Sequence, residues 1–222
     1  MKSRIVIINL TILIIFLLIY IINIKVKAKS LIITNNQEYK IEELNDEYKI
    51  LVYSPITPYS KLNSVINKKL NDYIIQFKKN IRSSPIKDNY YSLIIFYDKY
   101  IYSSYISYVF KIESHYFMAH PDHMIYTVVF DIDNKKIITL DDLIKYNNKV
   151  LDIFSFESKE KLKNNERIVD YDMLLDGTKP IYNNFNNFVF SKNGIIIFFK
   201  RYQVAPYSSG EFSVNIPYDL IM

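Results

Sequence analysis

The feature that most constrains this chain is a change of period along it. From residue 106 to 112 the side chains alternate. Ile106, Tyr108, Phe110 and Ile112 fall on one side, and Ser107, Val109 and Lys111 on the other. A two-residue alternation marks a strand whose faces meet different surroundings. Upstream the spacing differs. Leu62, Ile66, Leu70, Tyr73 and Phe77 recur at steps of three and four, so they share one face of a helix. Lys61, Lys68, Lys69, Lys78 and Lys79 lie mostly off that stripe and read as its solvated back. A long amphipathic helix set among alternating segments must bury its stripe, and a sheet is the surface available.

The remaining segments fit that frame. Residues 47–55 read as a strand stopped by Pro55, and Pro58 to Ile81 as the helix. Residues 89–112 read as two strands around Asp98-Lys99. Residues 122–140 give a third strand, a tight turn at Asp133-Asn134 and a short fourth strand. Thr139 can cap the helix LDDLIKY, with Asp141 and Asp142 near its positive end. A further helix is expected from Asn148 to about Lys163, burying Val150, Leu151, Phe154 and Leu162, followed by an irregular stretch at 164–180. A hairpin with Asn193-Gly194 in its loop and a last alternating strand at 211–217 close the chain. The expected fold class is α+β: an antiparallel β-sheet with helices packed on it, in two small subdomains at 47–118 and 119–222. A linker at 29–46 and an N-terminal hydrophobic helix within 1–28 are expected to precede them.

That N-terminal stretch limits the address. Ile5 to Ile24 is apolar except for Asn9, Thr11 and Asn23. Twenty helical residues at about 1.5 Å each match the bilayer core of about 30 Å. A cleaved signal peptide, with Val26 and Ala28 as the small residues before the cut, an uncleaved membrane anchor and a buried core helix all remain open. The net charge is +5. Lys2, Arg4, Lys25 and Lys27 supply four of those five charges, with no acid among residues 1–28, so the body carries only +1. Such a body has no electrostatic case for nucleic acid. Cysteine is absent, which excludes disulfides and thiolate metal sites.

Chemistry-bearing residues are few. His115, His120 and His123 lie beside Asp122 in ESHYFMAHPDHM and form the one alternative metal centre. Their spacing matches no established zinc pattern, and a strand would send neighbours to opposite faces, so no metal or other cofactor is expected. Asp131 with Asp133, and Asp141 with Asp142, read as turn and cap residues rather than calcium ligands. Ser208 and Ser209 precede Gly210 in RYQVAPYSSG without a nucleophile elbow. With three glycines in all, glycine-rich phosphate loops are excluded.

Two longer motifs carry a resemblance. AHPDHMIYTVVFDIDNKKIITLDDLI pairs an alanine-histidine-proline turn with a strand, a hairpin and a helix start. NFVFSKNGIIIFFKRYQVAPYSSGEFSVNIPYDLI combines a hairpin, a Y-x-V-A-x-Y-S-x-G loop and a final V-x-I-P-Y strand. Together with the upstream strand and helix, they resemble the extracytoplasmic domain family shared by the anti-sigma factor and lysozyme receptor RsiV and the peptidoglycan deacetylase PdaC. The resemblance implies an extracytoplasmic module, membrane-anchored or secreted, whose partner is a lysozyme-type protein or peptidoglycan. His120, Pro121, Tyr202, Gln203, Ala205, Pro206, Tyr207 and Gly210 are the family-motif positions, structural or ligand-facing. Only four residues precede the apolar run and no T-F-D-D-G motif occurs, so the expectation is a non-catalytic binding or sensing module. The alternative is an accessory domain of a metal-dependent peptidoglycan-modifying enzyme, or that enzyme itself.

Overall fold

The computed structural model describes residues 29–34, 37–83, 90–116 and 120–221. The hydrophobic helix expected within 1–28 lies outside them. A seven-stranded sheet runs in sequence order from β1 to β7: Lys29–Thr34, Glu38–Leu44, Tyr48–Pro55, Tyr91–Tyr102, Tyr105–His115, Asp122–Asp131 and Lys136–Ile138. A second sheet of three strands has the order β10-β9-β8, from Phe188–Ser191 (β8), Gly194–Phe199 (β9) and Phe212–Ile216 (β10). The helices are α1 (Ser60–Ser83), α2 (Leu140–Tyr146), α3 (Val150–Leu162), α4 (Tyr171–Gly177) and α5 (Tyr182–Phe185). The mixed α+β class stands as expected.

The sheet is not wholly antiparallel. β3 and β4 pair parallel, with Ile50 opposite Leu93 and Val52 opposite Ile95. Parallel neighbours need a crossover, and α1 is that crossover. Its stripe, Leu62, Ile66, Leu70 and Phe77, is buried against Ile50, Val52, Leu93, Ile95, Phe110 and Phe130 from the four strands β3 to β6. The helix therefore both joins the two strands and covers one face of them.

Three local readings need correction. Residues 29–46, expected as a linker, contain β1 and β2; β1 pairs with β2, and β2 with β3. The turn between β4 and β5 falls at Ser103-Ser104, not at Asp98-Lys99. Ser103 takes the left-handed conformation at φ 51, while Asp98 sits mid-strand and meets Lys111 at 3.0 Å. Within the stretch expected to be irregular, Asp170 accepts a hydrogen bond from the Met173 backbone and starts α4.

The expected boundary at 118/119 falls between β5 and β6, whose paired registers run from Tyr105↔Asp131 to Ser114↔Asp122. β5 and β6, on either side of that boundary, are neighbours in the one seven-stranded sheet. The C-terminal layer lies on its second face. Val109 and Ile125 of the large sheet are buried with Val189 of β8, and the Thr127 hydroxyl accepts the Phe188 backbone N–H at 3.0 Å. Both faces of β5 are thus covered, which is why Ser107 and Val109 are as buried as Tyr108 and Phe110. Beyond β8–β10, helices α2 to α5 close a second core around Phe154, Leu174, Phe185 and Phe199.

Two acids expected in turns and caps are found there. The Asp131 carboxylate accepts the backbone and side-chain N–H groups of Asn134. Asp142 accepts the Thr139 backbone N–H and hydroxyl, both at 2.9 Å. Gly194 begins β9 rather than making the hairpin turn. A Cβ there would sit 2.1 Å from the Ile216 carbonyl oxygen, so the residue is glycine because β10 passes so closely.

Candidate ligand-binding site

The site begins with the connection between β9 and β10, residues 200–211. Val204 and Ala205 are buried and pin its middle to the second core. The Gln203 side-chain amide donates to the carbonyls of Gly177 (3.1 Å) and Asn184 (2.9 Å), which ties the loop to α4 and α5. Pro206 leads into a 3-10 turn at Tyr207–Ser209. The turn is closed by Gly210 at φ 80, a backbone conformation that favours glycine. Arg167 holds the far end, donating to the Ser209 carbonyl at 3.1 Å while its guanidinium lies 4.3 Å from the Phe212 ring centroid. The loop is shaped from several directions at once.

What that shape presents is an aromatic platform shared with the start of β6. The His120 ring stacks on Tyr207 with centroids 3.7 Å apart and planes at 16°. The Tyr207 hydroxyl donates to the Pro121 carbonyl at 3.0 Å. His120 Nδ1 lies 3.3 Å from the same carbonyl and Nε2 lies 2.9 Å from the Tyr202 hydroxyl. A carbonyl oxygen only accepts, so in the neutral ring the proton belongs on Nδ1. Nε2 then accepts the Tyr202 O–H. Tyr202 takes positive φ (66), uncommon for a side chain of its size, and is 54% exposed. Two sequence-distant loops thus fix an imidazole and two phenol rings at the surface. Arg201 adds a guanidinium 4.5 Å from the Tyr207 ring centroid.

Arg201 also borders a shallow groove of about 300 Å³ with Lys111, His123, Glu113 and Glu211. Cations and acids alternate in it: Lys111 meets Asp98 across β4–β5, and His123 Nδ1 lies 3.9 Å from Glu113. The groove therefore has no dominant sign of charge.

All eight motif positions are among the described residues. Six of them, His120, Pro121, Tyr202, Pro206, Tyr207 and Gly210, build the platform or shape its loop. Gln203 and Ala205 fix that loop to the core and face inward. The alternative metal centre is not assembled. His115 ends β5 opposite Ser92, His123 faces Glu113, and Asp122 points to the opposite face from His123. His120 is engaged by Tyr202 and Tyr207. Among the described residues no three His, Cys, Asp or Glu side chains gather closely enough to hold a metal ion. Sequence reasoning missed Arg167 and Arg201. Arg201 opens the motif loop and could have been suspected, but Arg167 acts from a stretch without periodicity.

Residues 141–219 match the family described as "Protein of unknown function (DUF3298)". The chain is 32% identical over 104 residues to the peptidoglycan-N-acetylmuramic acid deacetylase PdaC of Bacillus subtilis (strain 168). That match takes in 46% of this chain but only 22% of the relative. Two crystal structures share the fold. A DUF3298 family protein of Pseudomonas aeruginosa PAO1 aligns with TM-score 0.60 and 12% identity, over 87% of this chain and 89% of that one. A DUF3298 family member of Bacteroides fragilis NCTC 9343 aligns with TM-score 0.50 and 16% identity, over 87% and 91% respectively. Within its C-terminal part, over residues 141–219, the chain carries a DUF3298 family domain that it shares with PdaC.

Proposed function

We propose that this chain is a non-catalytic binding or sensing module of the cell envelope, working outside the cytoplasm. Its ligand is a lysozyme-type protein or peptidoglycan. The observation that carries the reading is the His120–Tyr202–Tyr207 platform: rigidly supported rings at the surface, with one phenol more than half exposed. Tyrosines held in this way give contact area and a hydroxyl at low entropic cost, which is what recognition surfaces use. The imidazole is hydrogen-bonded to a phenol and set against a backbone carbonyl, rather than to a serine that it would activate. The relative named for peptidoglycan chemistry supports the envelope location and the peptidoglycan arm of the proposal. The same relative favours a second reading, in which the domain is an accessory to a peptidoglycan-modifying enzyme.

The test is retention of the full chain on insoluble peptidoglycan and on immobilised lysozyme, with release of acetate monitored. Retention by one of them without acetate release is expected, and Tyr202→Ala should reduce it by at least about tenfold, as loss of an aromatic hot spot does. Retention by neither would refute the proposal. Acetate release would move the assignment to the enzyme.

A further inference from the structure

A second concavity lies where the β4–β5 turn, the β6–β7 turn and the C-terminal 3-10 turn at Tyr218–Leu220 come together. It is a cleft of about 360 Å³ and shares no residue with the His120–Tyr207 platform. Its size falls within the range of about 300–1,000 Å³ typical of small-ligand pockets.

The lining has two chemically distinct parts. One is a run of touching rings. Tyr102 stacks on Tyr218 at 5.3 Å and 18°, Tyr218 on Phe190 at 6.4 Å and 28°, and Phe190 meets Tyr105 at 4.5 Å. The other is polar and already oriented. Asn134 holds the Asp131 carboxylate through two hydrogen bonds, and Lys136 reaches Asp142 at 3.3 Å. The two parts meet where Tyr105 pairs with Asp131 across β5 and β6. Tyr146, 67% exposed, stands in the lining at the end of α2.

This pairing selects a ligand class. A wholly apolar ligand would strip water from the Asp142 carboxylate, the Asn134 amide and the Lys136 ammonium without replacing their hydrogen bonds. An anion would meet two carboxylates against one ammonium. A sugar ring fits both parts, because it has an apolar C–H face and a rim of hydroxyls. A carboxylate has about four acceptor sites, so Asp142 keeps capacity beyond Thr139 and Lys136, while the buried Asp131 holds Asn134 in place at the rim. We infer that this cleft binds a neutral pyranose ring, its C–H face on the tyrosine rings and its hydroxyls on the Asn134, Lys136 and Asp142 side.

The experiment is calorimetric titration of the full chain with the trimer of N-acetylglucosamine, followed in parallel by tyrosine ring resonances. Saturable binding is expected below about 10 mM, the range open to a small, weakly held ligand. Tyr146→Ala, at a position 67% exposed, should weaken it about fivefold by removing one stacking face. Tyr202→Ala should leave it unchanged, which separates this cleft from the platform of the proposed function. The resonances of Tyr102 and Tyr218 should shift on binding. No saturable binding, equal affinity in wild type and Tyr146→Ala, or loss confined to Tyr202→Ala would each overturn the inference.

Discussion

His120 and Tyr207 come from loops far apart in the chain, yet their rings stack at 3.7 Å with a hydroxyl-to-carbonyl bond, Tyr207 to Pro121, closing the contact. The two halves of that contact can be separated. Tyr207→Phe removes only the hydroxyl and should cost about 1 kcal/mol. Tyr207→Ala removes the ring as well and should cost about 3 kcal/mol. Urea unfolding of the two variants measures the difference. Equal costs would mean that the stack contributes nothing.

Gly177 and Gly210 support the same loop for different reasons. A Cβ on Gly177 would lie 1.9 Å from the Gln203 backbone oxygen, a collision that neither backbone can relieve cheaply. Gly177→Ala should therefore cost at least about 3 kcal/mol. A Cβ on Gly210 would meet only the Arg167 guanidinium, at an ordinary contact distance of 3.7 Å, so only its φ of 80 resists substitution. Gly210→Ala should cost about 2 kcal/mol. Thermal unfolding of both ranks them, and the reverse order would contradict the close packing of α4 against the loop.

Tyr202 holds a left-handed backbone at φ 66 while most of its side chain faces solvent. Glycine would relieve about 1 kcal/mol of that strain. Tyr202→Gly should thus stay within about 1 kcal/mol of wild type despite losing its bond to His120. Its retention on the envelope ligand should fall sharply. A large loss of stability would show that the residue serves the fold rather than recognition.

Acid should weaken the fold partly through Asp131. Burial pushes this carboxyl up, but the side-chain and backbone N–H groups of Asn134, the backbone N–H of Asp133 and the charge of Lys136 outweigh it. The acid ends below its ordinary value of 3.8. A depressed native pKa gives stability that is present above the unfolded pKa and is lost as pH falls through the native one. The stability gap between wild type and Asp131→Asn should be full at pH 7 and shrink below about pH 4. Denaturant midpoints at neutral and acid pH measure it. A gap independent of pH would show that the charge of Asp131 is not what holds the turn.

Much of this fold was legible because its signals are local. The Leu62–Phe77 stripe, the alternation through Ile106–Ile112 and the capping acids at 131 and 142 each depend on neighbours within a turn or two. The β3–β4 pairing was not legible, because parallel registration is set by what α1 packs against rather than by any residue in either strand. Strand β2 was hidden by its polar composition: Glu38, Lys40, Glu42 and Glu43 fit a strand that is only partly buried. At the candidate site, the motif residues pointed to the right loop. The contact of His120 with Tyr202 and Tyr207 is a tertiary fact with no local trace, and so is the hold of Gln203 on Gly177 and Asn184.

The ties on the 200–211 loop reach back to residues 120–121, 167, 177 and 184. No fragment of the chain that lacks either end of these ties can present the platform. Recognition and folding are then one coupled equilibrium. A ligand seated there raises the midpoint of unfolding of the whole body in proportion to the logarithm of its concentration. A partly unfolded chain offers that ligand nothing to hold.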